Sequence, residues 1–184
     1  MQTFKNYGVT VPIEELHSKI GSTNKQVFEQ CFSDRGVPVD IENIVDEHED
    51  ILFTLYKDKA ELPEGLKDFL EACKKNDLLI GLSSATNSKM LKIVLEKFGI
   101  STYFDVVIGG ESVSKGKPDP EMIQKALEKL HVRPEQAIAI DDARSGIIAA
   151  KSIDMFTIAY LKFSKQEIPE ADSSVWEFND IKFN

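Results

Sequence analysis

Apolar and polar positions follow two different periods along this chain, and the change of period divides it into two parts. From residue 4 to about residue 56, apolar side chains recur at helical spacing and no convincing strand interrupts them. Helix starts are predicted at Pro12, at Ser22 and at Asp40. The front of the chain is therefore expected to fold as a small helical bundle.

A charged connector, residues 57–65, follows the bundle and closes with a proline and a glycine. Short branched apolar runs then alternate with amphipathic segments, which implies right-handed crossovers and a parallel sheet. The predicted elements are helix 66–75, strand 78–83, helix 88–98, strand 106–108, helix 121–130, strand 137–140, helix 145–152 and strand 156–159. The expected fold class is α/β, with a helical domain at residues 1–58 and an α/β core at residues 59–184. In the polar tail, Trp176, Phe178 and Phe183 are expected to pack back on the core.

Composition and charge limit the classes of partner that are expected for this protein. The chain has 184 residues, 42% of them hydrophobic, and a formal net charge of -9. An acidic surface is not attracted to a nucleic-acid backbone or an anionic membrane, so neither is expected as a partner. Cys31 and Cys73 have no spacing typical of a disulfide framework or zinc site. The start of the chain lacks the apolar core of a signal peptide, and a cytoplasmic location is expected.

Two adjacent carboxylates, Asp141 and Asp142, end the predicted strand 137–140 abruptly. Open parallel sheets place their sites outside the carboxyl ends of the strands. Hard oxygen donors of this kind suit Mg²⁺ better than a soft metal. The alternative is that Asp142 only caps the following helix, because Asp is a favoured residue at a helix start.

Two other strand ends carry groups of complementary chemistry. Strand 78–83 runs into Ser84 and Ala85, whose hydroxyl and amides precede a helix and can cradle a phosphate. The loop after strand 106–108 carries Lys117 between a glycine and a proline, where a lysine can neutralise phosphate charge. The ordinary alternatives are a helix cap for the serine and a solvated surface lysine. In the helical front, the turn Ser22, Thr23 and Asn24 either faces a ligand or caps a helix.

These residues resemble the haloacid dehalogenase-like superfamily, and within it the β-phosphoglucomutase-like phosphatases with a helical cap. Ser84 stands at the family's second motif, Lys117 at its third, and Asp141 with Asp142, followed by Gly146, at its fourth. The resemblance implies a Rossmann-like core, phosphate binding by Ser84, Ala85 and Lys117, and Mg²⁺ held by the two aspartates. It further implies that an aspartate nucleophile takes the phosphoryl group from a small phosphorylated metabolite and that water then releases it.

The family's first motif, Asp-x-Asp-Gly-Thr, has no counterpart in this chain. That motif supplies the nucleophile and ends a central strand, which should lie between strands 78–83 and 137–140. Without this strand, two strand edges lose their ladder partners. The chain is therefore expected to be either an N-terminally shortened form of an active enzyme or a form in which something else fills the gap. Asp141 and Asp142 cannot serve as nucleophile without being lost as metal ligands.

Several functions remain open on the sequence alone. The first is a Mg²⁺-dependent phosphoric monoester hydrolase. The second is a catalytically inactive relative that binds phosphate, metal or a protein partner. The hypothesis of a sugar-phosphate mutase is weakened by Asn24, which stands where the family's hexose-phosphate mutase places an arginine. A phosphoacceptor signalling domain is disfavoured because its acidic pair would precede the hydroxyl and the lysine.

Overall fold

The computed structural model describes residues 2–19 and 21–182. Its front is helical, as expected, with apolar faces that meet around Phe4, Phe28 and Phe32. The ring centroids of Phe4 and Phe28 lie 5.2 Å apart, within the range of favourable aromatic pairs. The front helices are α1 (Gln2–Asn6), α2 (Ile13–His17), α3 (Asn24–Ser33) and α4 (Ile41–Lys59). Since α4 continues through Lys59, the first three residues of the charged connector are helical.

The rest of the chain alternates helices and strands, which confirms the α/β fold. Helix α7 and strand β2 begin and end where their apolar periods predict. The elements are α5 (Leu66–Lys75), β1 (Gly81–Ser83), α6 (Ser88–Lys97), β2 (Val106–Ile108), α7 (Glu121–Leu130), β3 (Ile138–Asp141), α8 (Arg144–Lys151), β4 (Phe156–Tyr160), α9 (Leu161–Ser164) and β5 (Ser173–Val175).

Every strand pairing among the described residues is parallel, but the strands form two separate sheets. Strand β1 pairs with β2, and Ser83 lies beside Ile108. Strand β3 pairs with β4, where Asp141 lies beside Ala159, and β4 pairs with β5. Parallel strands share one direction, so the polar residues that follow them gather at one end of each ladder.

Strands β1 and β3 each keep one edge without a ladder partner in the part of the chain that the structure describes. The strand expected at 78–83 is correspondingly short: Leu78 and Leu79 lie outside β1 and are 45% and 55% exposed. Ile138 at the start of β3 is 60% exposed. A strand edge without a ladder partner leaves its backbone N–H and C=O groups available for pairing with another segment.

The tail contains a strand that its polar composition did not predict. Asp172 anchors β5 beside β4, because its carboxylate accepts hydrogen bonds from the backbone N–H and hydroxyl of the buried Thr157 at 2.8 and 2.9 Å. Phe178 packs back as expected and stacks on Tyr160, with centroids 4.6 Å apart. The expectation for Trp176 is wrong, since its side chain is 56% exposed. Phe183 lies outside the described residues.

In residues 2–19 and 21–182, no helix is both long and apolar enough to cross a lipid bilayer.

Candidate active site

The ends of β1 and β3 meet at one side chain, that of Lys117. Its Nζ lies 2.6 Å from Oδ2 of Asp141 and 3.4 Å from the carbonyl oxygen of Ser83. Both members of the ion pair are largely buried, with 12% of the lysine and 16% of the aspartate side chain exposed. One ammonium group therefore holds together the carboxyl ends of two strands that share no ladder.

The two aspartates of the acidic pair differ in environment. Asp141 ends β3, and its Oδ1 accepts a hydrogen bond from the backbone N–H of Ala143 at 2.8 Å. Asp142 is more exposed, and partial burial together with the neighbouring charge of Asp141 raises the pKa of its carboxyl. The helix-cap interpretation of Asp142 does not fit, because α8 begins at Arg144 with Ala143 in the capping position and no side-chain cap.

Gly146, in the first turn of α8, sets how closely that helix approaches the acidic pair. A Cβ at this position would lie 2.0 Å from Oδ2 of Asp141, so the carboxylate or the helix would have to move. The glycine stands inside a helix, where it ordinarily costs stability relative to alanine. Its presence is explained by the carboxylate that it accommodates.

Ser84 stands just beyond β1, as expected, at the start of the loop that leads into α6. Its backbone N–H extends the pairing with β2 by donating to the carbonyl of Ile108 at 3.0 Å. Its hydroxyl accepts a hydrogen bond from the N–H of Thr86 at 3.2 Å, and Asn87 rather than Ser84 caps α6. The carbonyl oxygen of the neighbouring Ala85 lies so close to Gly110 that a Cβ added to this glycine would be 2.2 Å from it.

The loop that carries Lys117 is held in place by Glu121 at the start of α7. The Glu121 carboxylate accepts hydrogen bonds from the backbone N–H groups of Ser114 and Lys115, both at 3.0 Å. Lys125 lies 2.8 Å from the same carboxylate, and these donors lower the pKa of Glu121 to about 2. The peptide bond between Lys117 and Pro118 is cis. The loop that carries Lys117 is therefore fixed to helix α7.

The turn that opens α3 of the helical front lies directly on this loop. Gly116 is buried, and a Cβ on it would lie 2.7 Å from the N of Thr23 and 2.9 Å from the Cα of Ser22. Gly21 is equally close to Ser145, since a Cβ there would lie 2.3 Å from the serine Oγ. The helical front therefore covers the Lys117 side of the site, as a cap would.

Thr23 and Gln26 form a capping box at the start of α3, which agrees with the helix-cap alternative for this turn. The Gln26 side chain also joins the two parts of the protein. Its Oε1 accepts a hydrogen bond from the N–H of Gly116 at 3.1 Å, and its Nε2 donates to the carbonyl of Ser114 at 3.3 Å. Sequence reasoning missed this contact, although the spacing of Thr23 and Gln26 could have drawn attention to the pair.

The predicted residues fall into two groups in the structure. Ser84, Lys117 and Asp141 lie at neighbouring strand ends, with Asp142 next to them. Ser22 and Thr23 contact the Lys117 loop, while Asn24 lines a cavity of about 480 Å³ between the helical front and the core. Ala85 reaches the same cavity. Gln26, Glu121 and Ser145 were not predicted.

Asp141 and Asp142 have the oxygen atoms that Mg²⁺ prefers as ligands, but they supply only part of a coordination shell. Within the described ranges, no group of three or more His, Cys, Asp or Glu side chains could hold a metal ion. Mg²⁺ is commonly bound through one or two carboxylates, with waters and substrate phosphate completing the shell. Two adjacent carboxylates, one with its pKa raised by burial and by the charge of the other, fit that pattern.

Fold and site together define a parallel α/β protein whose polar groups gather at the carboxyl ends of its strands beneath a helical cap. The comparison with protein families agrees. Residues 1–160 match the model of the haloacid dehalogenase-like hydrolases, and the chain belongs to that family.

The relatives and solved structures to which the chain is similar include phosphatases and a phosphoglucomutase. It is 36% identical to a phosphorylated carbohydrates phosphatase of Thermotoga maritima, over 48% of this chain and 41% of that protein. It is 32% identical to hexitol phosphatase B of Escherichia coli, over 57% of this chain and 47% of that protein. The structure of β-phosphoglucomutase from Clostridium difficile superimposes with a TM-score of 0.85 and 25% identity, covering 99% of this chain and 83% of that one. The chain thus spans about half the length of the curated relatives that it matches.

Proposed function

We propose that this protein is a Mg²⁺-dependent phosphoric monoester hydrolase that acts on a small phosphorylated metabolite. The observation that carries the proposal is the meeting of Lys117, Asp141 and the end of β1 at one point. A buried cation, hydroxyl and amide donors, and a pair of hard carboxylates are the groups that phosphoryl transfer needs for positioning and charge stabilisation. The phosphatases named among the relatives support the same class of reaction.

Each residue has a role that follows from its chemistry. Ser84 and the backbone at Ala85 would bind the phosphate oxygens, and Lys117 would neutralise phosphate charge while it keeps Asp141 in place. Asp141 and Asp142 would hold Mg²⁺, which when bound offsets negative charge on the phosphate. Residues 1–58, as the cap, would exclude water through the turn at Ser22, Thr23 and Asn24.

The nucleophile is not among these groups, and the open strand edges indicate where it belongs. Lys117 touches the ends of both β1 and β3, and each of these strands has one edge without a ladder partner in the described part of the chain. We propose that a parallel strand from a segment outside these 184 residues fits there and brings an aspartate beside Lys117. The chain would then be a shortened form of the active enzyme.

A second function is favoured by the same open edges. If no strand fills them, the site retains Ser84, Lys117 and the acidic pair without a nucleophile. Such a protein would bind phosphate, Mg²⁺ or a protein partner without turnover. The sugar-phosphate mutase alternative gains nothing from the geometry, because the cavity near Asn24 is lined by several carboxylates.

The test compares two proteins. One is the 184-residue chain, and the other carries an added N-terminal segment with a strand of the family's Asp-x-Asp-Gly-Thr pattern. Mg²⁺-dependent phosphate release is measured with an aryl phosphate and a panel of sugar phosphates. We expect activity only in the extended chain, and its loss in the Asp142→Asn variant of that chain.

Other outcomes separate the two functions. Equal activity of both chains would place the nucleophile within these residues and overturn the strand proposal. Inactivity of both, with Mg²⁺ and phosphate still bound, would favour the binding protein.

A further inference from the structure

The side chain of Gln26, in the first turn of α3, reaches from the helical front to the loop that carries Lys117. Its Nε2 donates to the carbonyl of Ser114 at 3.3 Å, and its Oε1 accepts from the N–H of Gly116 at 3.1 Å. Gly116 is buried and directly precedes the lysine. One amide group of the cap therefore fixes the backbone from which the Lys117 side chain starts.

A second contact of the cap covers the stem of Lys117 itself. A Cβ on Gly21 would lie 3.0 Å from the Cβ of Lys117, so the cap turn packs directly on this side chain. On the core side, the same loop is held by Glu121, whose carboxylate accepts from the N–H of Ser114 at 3.0 Å. Lys117 thus extends to Asp141 from a backbone that the core holds on one side and the cap on the other.

The amide oxygen of Gln26 also belongs to the capping box of α3. It accepts from the N–H of Thr23 at 3.0 Å, and the Thr23 hydroxyl oxygen accepts from the N–H of Gln26 at 3.3 Å. A glutamate at this position completes the same box, because the box needs only a side-chain oxygen. The bond to Ser114 needs a donor, which a carboxylate lacks. The two roles of Gln26 can therefore be separated by substitution.

We infer that Gln26 is a positioning residue for Lys117, because it sets the direction of the lysine towards Asp141 through the backbone of residues 114–116. The cap then does more than cover the site. The cation that binds phosphate keeps its place only while the cap turn lies on the core. This inference rests on the proposed function, in which Lys117 binds phosphate, and it adds the residue through which the cap controls that lysine.

Two measurements on the 184-residue chain test the inference. The first is the NMR signal of the Lys117 ammonium group, identified by its absence in Lys117→Met. Its protons exchange slowly with water while the group is buried against Asp141, and faster once the group is free. The second is the affinity for inorganic phosphate in the presence of Mg²⁺, measured by calorimetry.

Gln26→Glu keeps the capping box and places a carboxylate oxygen against the carbonyl of Ser114. We expect the ammonium protons of Lys117 to exchange at least about tenfold faster than in the wild type. Phosphate should bind about three- to tenfold more weakly, the size of one lost hydrogen bond. The helix content in circular dichroism should stay unchanged, because α3 keeps its start.

Gln26→Met is the second variant and separates the lost amide from the added charge. It has nearly the same length, carries no charge and makes neither the box nor the loop contacts. The same changes at Lys117 should appear in it, together with a lower midpoint in urea from the lost cap. Gln124→Glu, whose side chain is exposed on α7, adds the same charge elsewhere and should change neither measurement.

The failures are distinguishable. If the wild type binds phosphate and Gln26→Glu changes neither measurement, the inference is wrong and the proposed function stands. Changes confined to Gln26→Met would likewise overturn the inference, because they would come from the start of α3. If the wild type does not bind phosphate, the proposed function fails, whereas the exchange rates still decide whether Gln26 holds Lys117 in place.

Discussion

The ammonium of Lys117 lies 2.6 Å from the carboxylate of Asp141, although 24 positions of the chain separate the two residues. Lys117 comes from the loop after β2, and Asp141 ends β3, which belongs to the other sheet. Their contact joins the two halves of the core at the point where the site is assembled. The stability of the core and the chemistry of the site are therefore linked.

Lys117→Met should destabilise the fold as well as weaken phosphate binding. The Asp141 carboxylate, only 16% exposed, would lose its cation and remain partly buried. A cost of about 1–3 kcal/mol in the free energy of unfolding follows from leaving such a group without a partner. Urea denaturation measures it. The control is Lys115→Met, whose side chain is 69% exposed and lies 3.6 Å from Asp119, and which should cost less than about 0.5 kcal/mol.

Gly146→Ala should reverse the usual effect of this substitution in a helix. Alanine ordinarily stabilises a helix by up to about 1 kcal/mol relative to glycine. Here the new Cβ would lie 2.0 Å from Oδ2 of Asp141, so the carboxylate or α8 must move. We expect a net loss of about 1–3 kcal/mol, measured by urea denaturation, and weaker Mg²⁺ binding in calorimetry. A more stable variant with unchanged Mg²⁺ affinity would contradict the close approach.

Gly21→Ala should separate the cap turn from the core. The added Cβ would meet Ser145 Oγ at 2.3 Å, and the backbone φ of +99° is unfavourable for alanine. Hydrogen exchange of the Gly116 N–H, which donates to Gln26, should become faster as the cap lifts. Gly8→Ala is a matched control, because it also has a positive φ but nothing within 4 Å of the new Cβ. Equal exchange rates in the two variants would count against cap contact.

Glu121 should make stability depend on pH in a defined window. Its pKa is about 2 in the folded protein, against 4.5 for an ordinary glutamate, because Lys125 and the N–H groups of the 114–115 segment stabilise its charge. The unfolded chain therefore takes up this proton first as the pH falls. The stabilisation is complete above pH 4.5 and is lost between pH 4.5 and 2.

Glu121→Gln tests this directly. The variant should be less stable than the wild type at pH 7, and the difference should shrink as the pH approaches 2. Urea denaturation at a series of pH values gives the comparison. Glu128→Gln, on the same helix, is the control and should show no such convergence. If the difference in unfolding free energy between Glu121→Gln and the wild type stays constant with pH, the charge of Glu121 is not its cause.

Local sequence pattern was sufficient for much of the core. The apolar periods located α7 and β2 to the residue and placed Ser84, Lys117 and the acidic pair at strand ends. Residues at the carboxyl ends of parallel strands gather at one side of a sheet, so the strand pattern alone predicts that these groups lie close together. These features depend on neighbours in the chain and on the general geometry of parallel sheets.

Contacts between distant segments were decided by the tertiary structure. Strand β1 is half as long as its apolar run, because strand length also depends on a ladder partner. Gln26 joins cap to core, and Glu111 closes the start of α6, through contacts across 90 and 23 positions of the chain. Periodicity reports which side chains are apolar and at what spacing they recur, whereas these contacts depend on how closely two backbones approach. That distance is set by packing of the whole molecule, with glycines at Gly21, Gly109, Gly110 and Gly146 where the approach is closest.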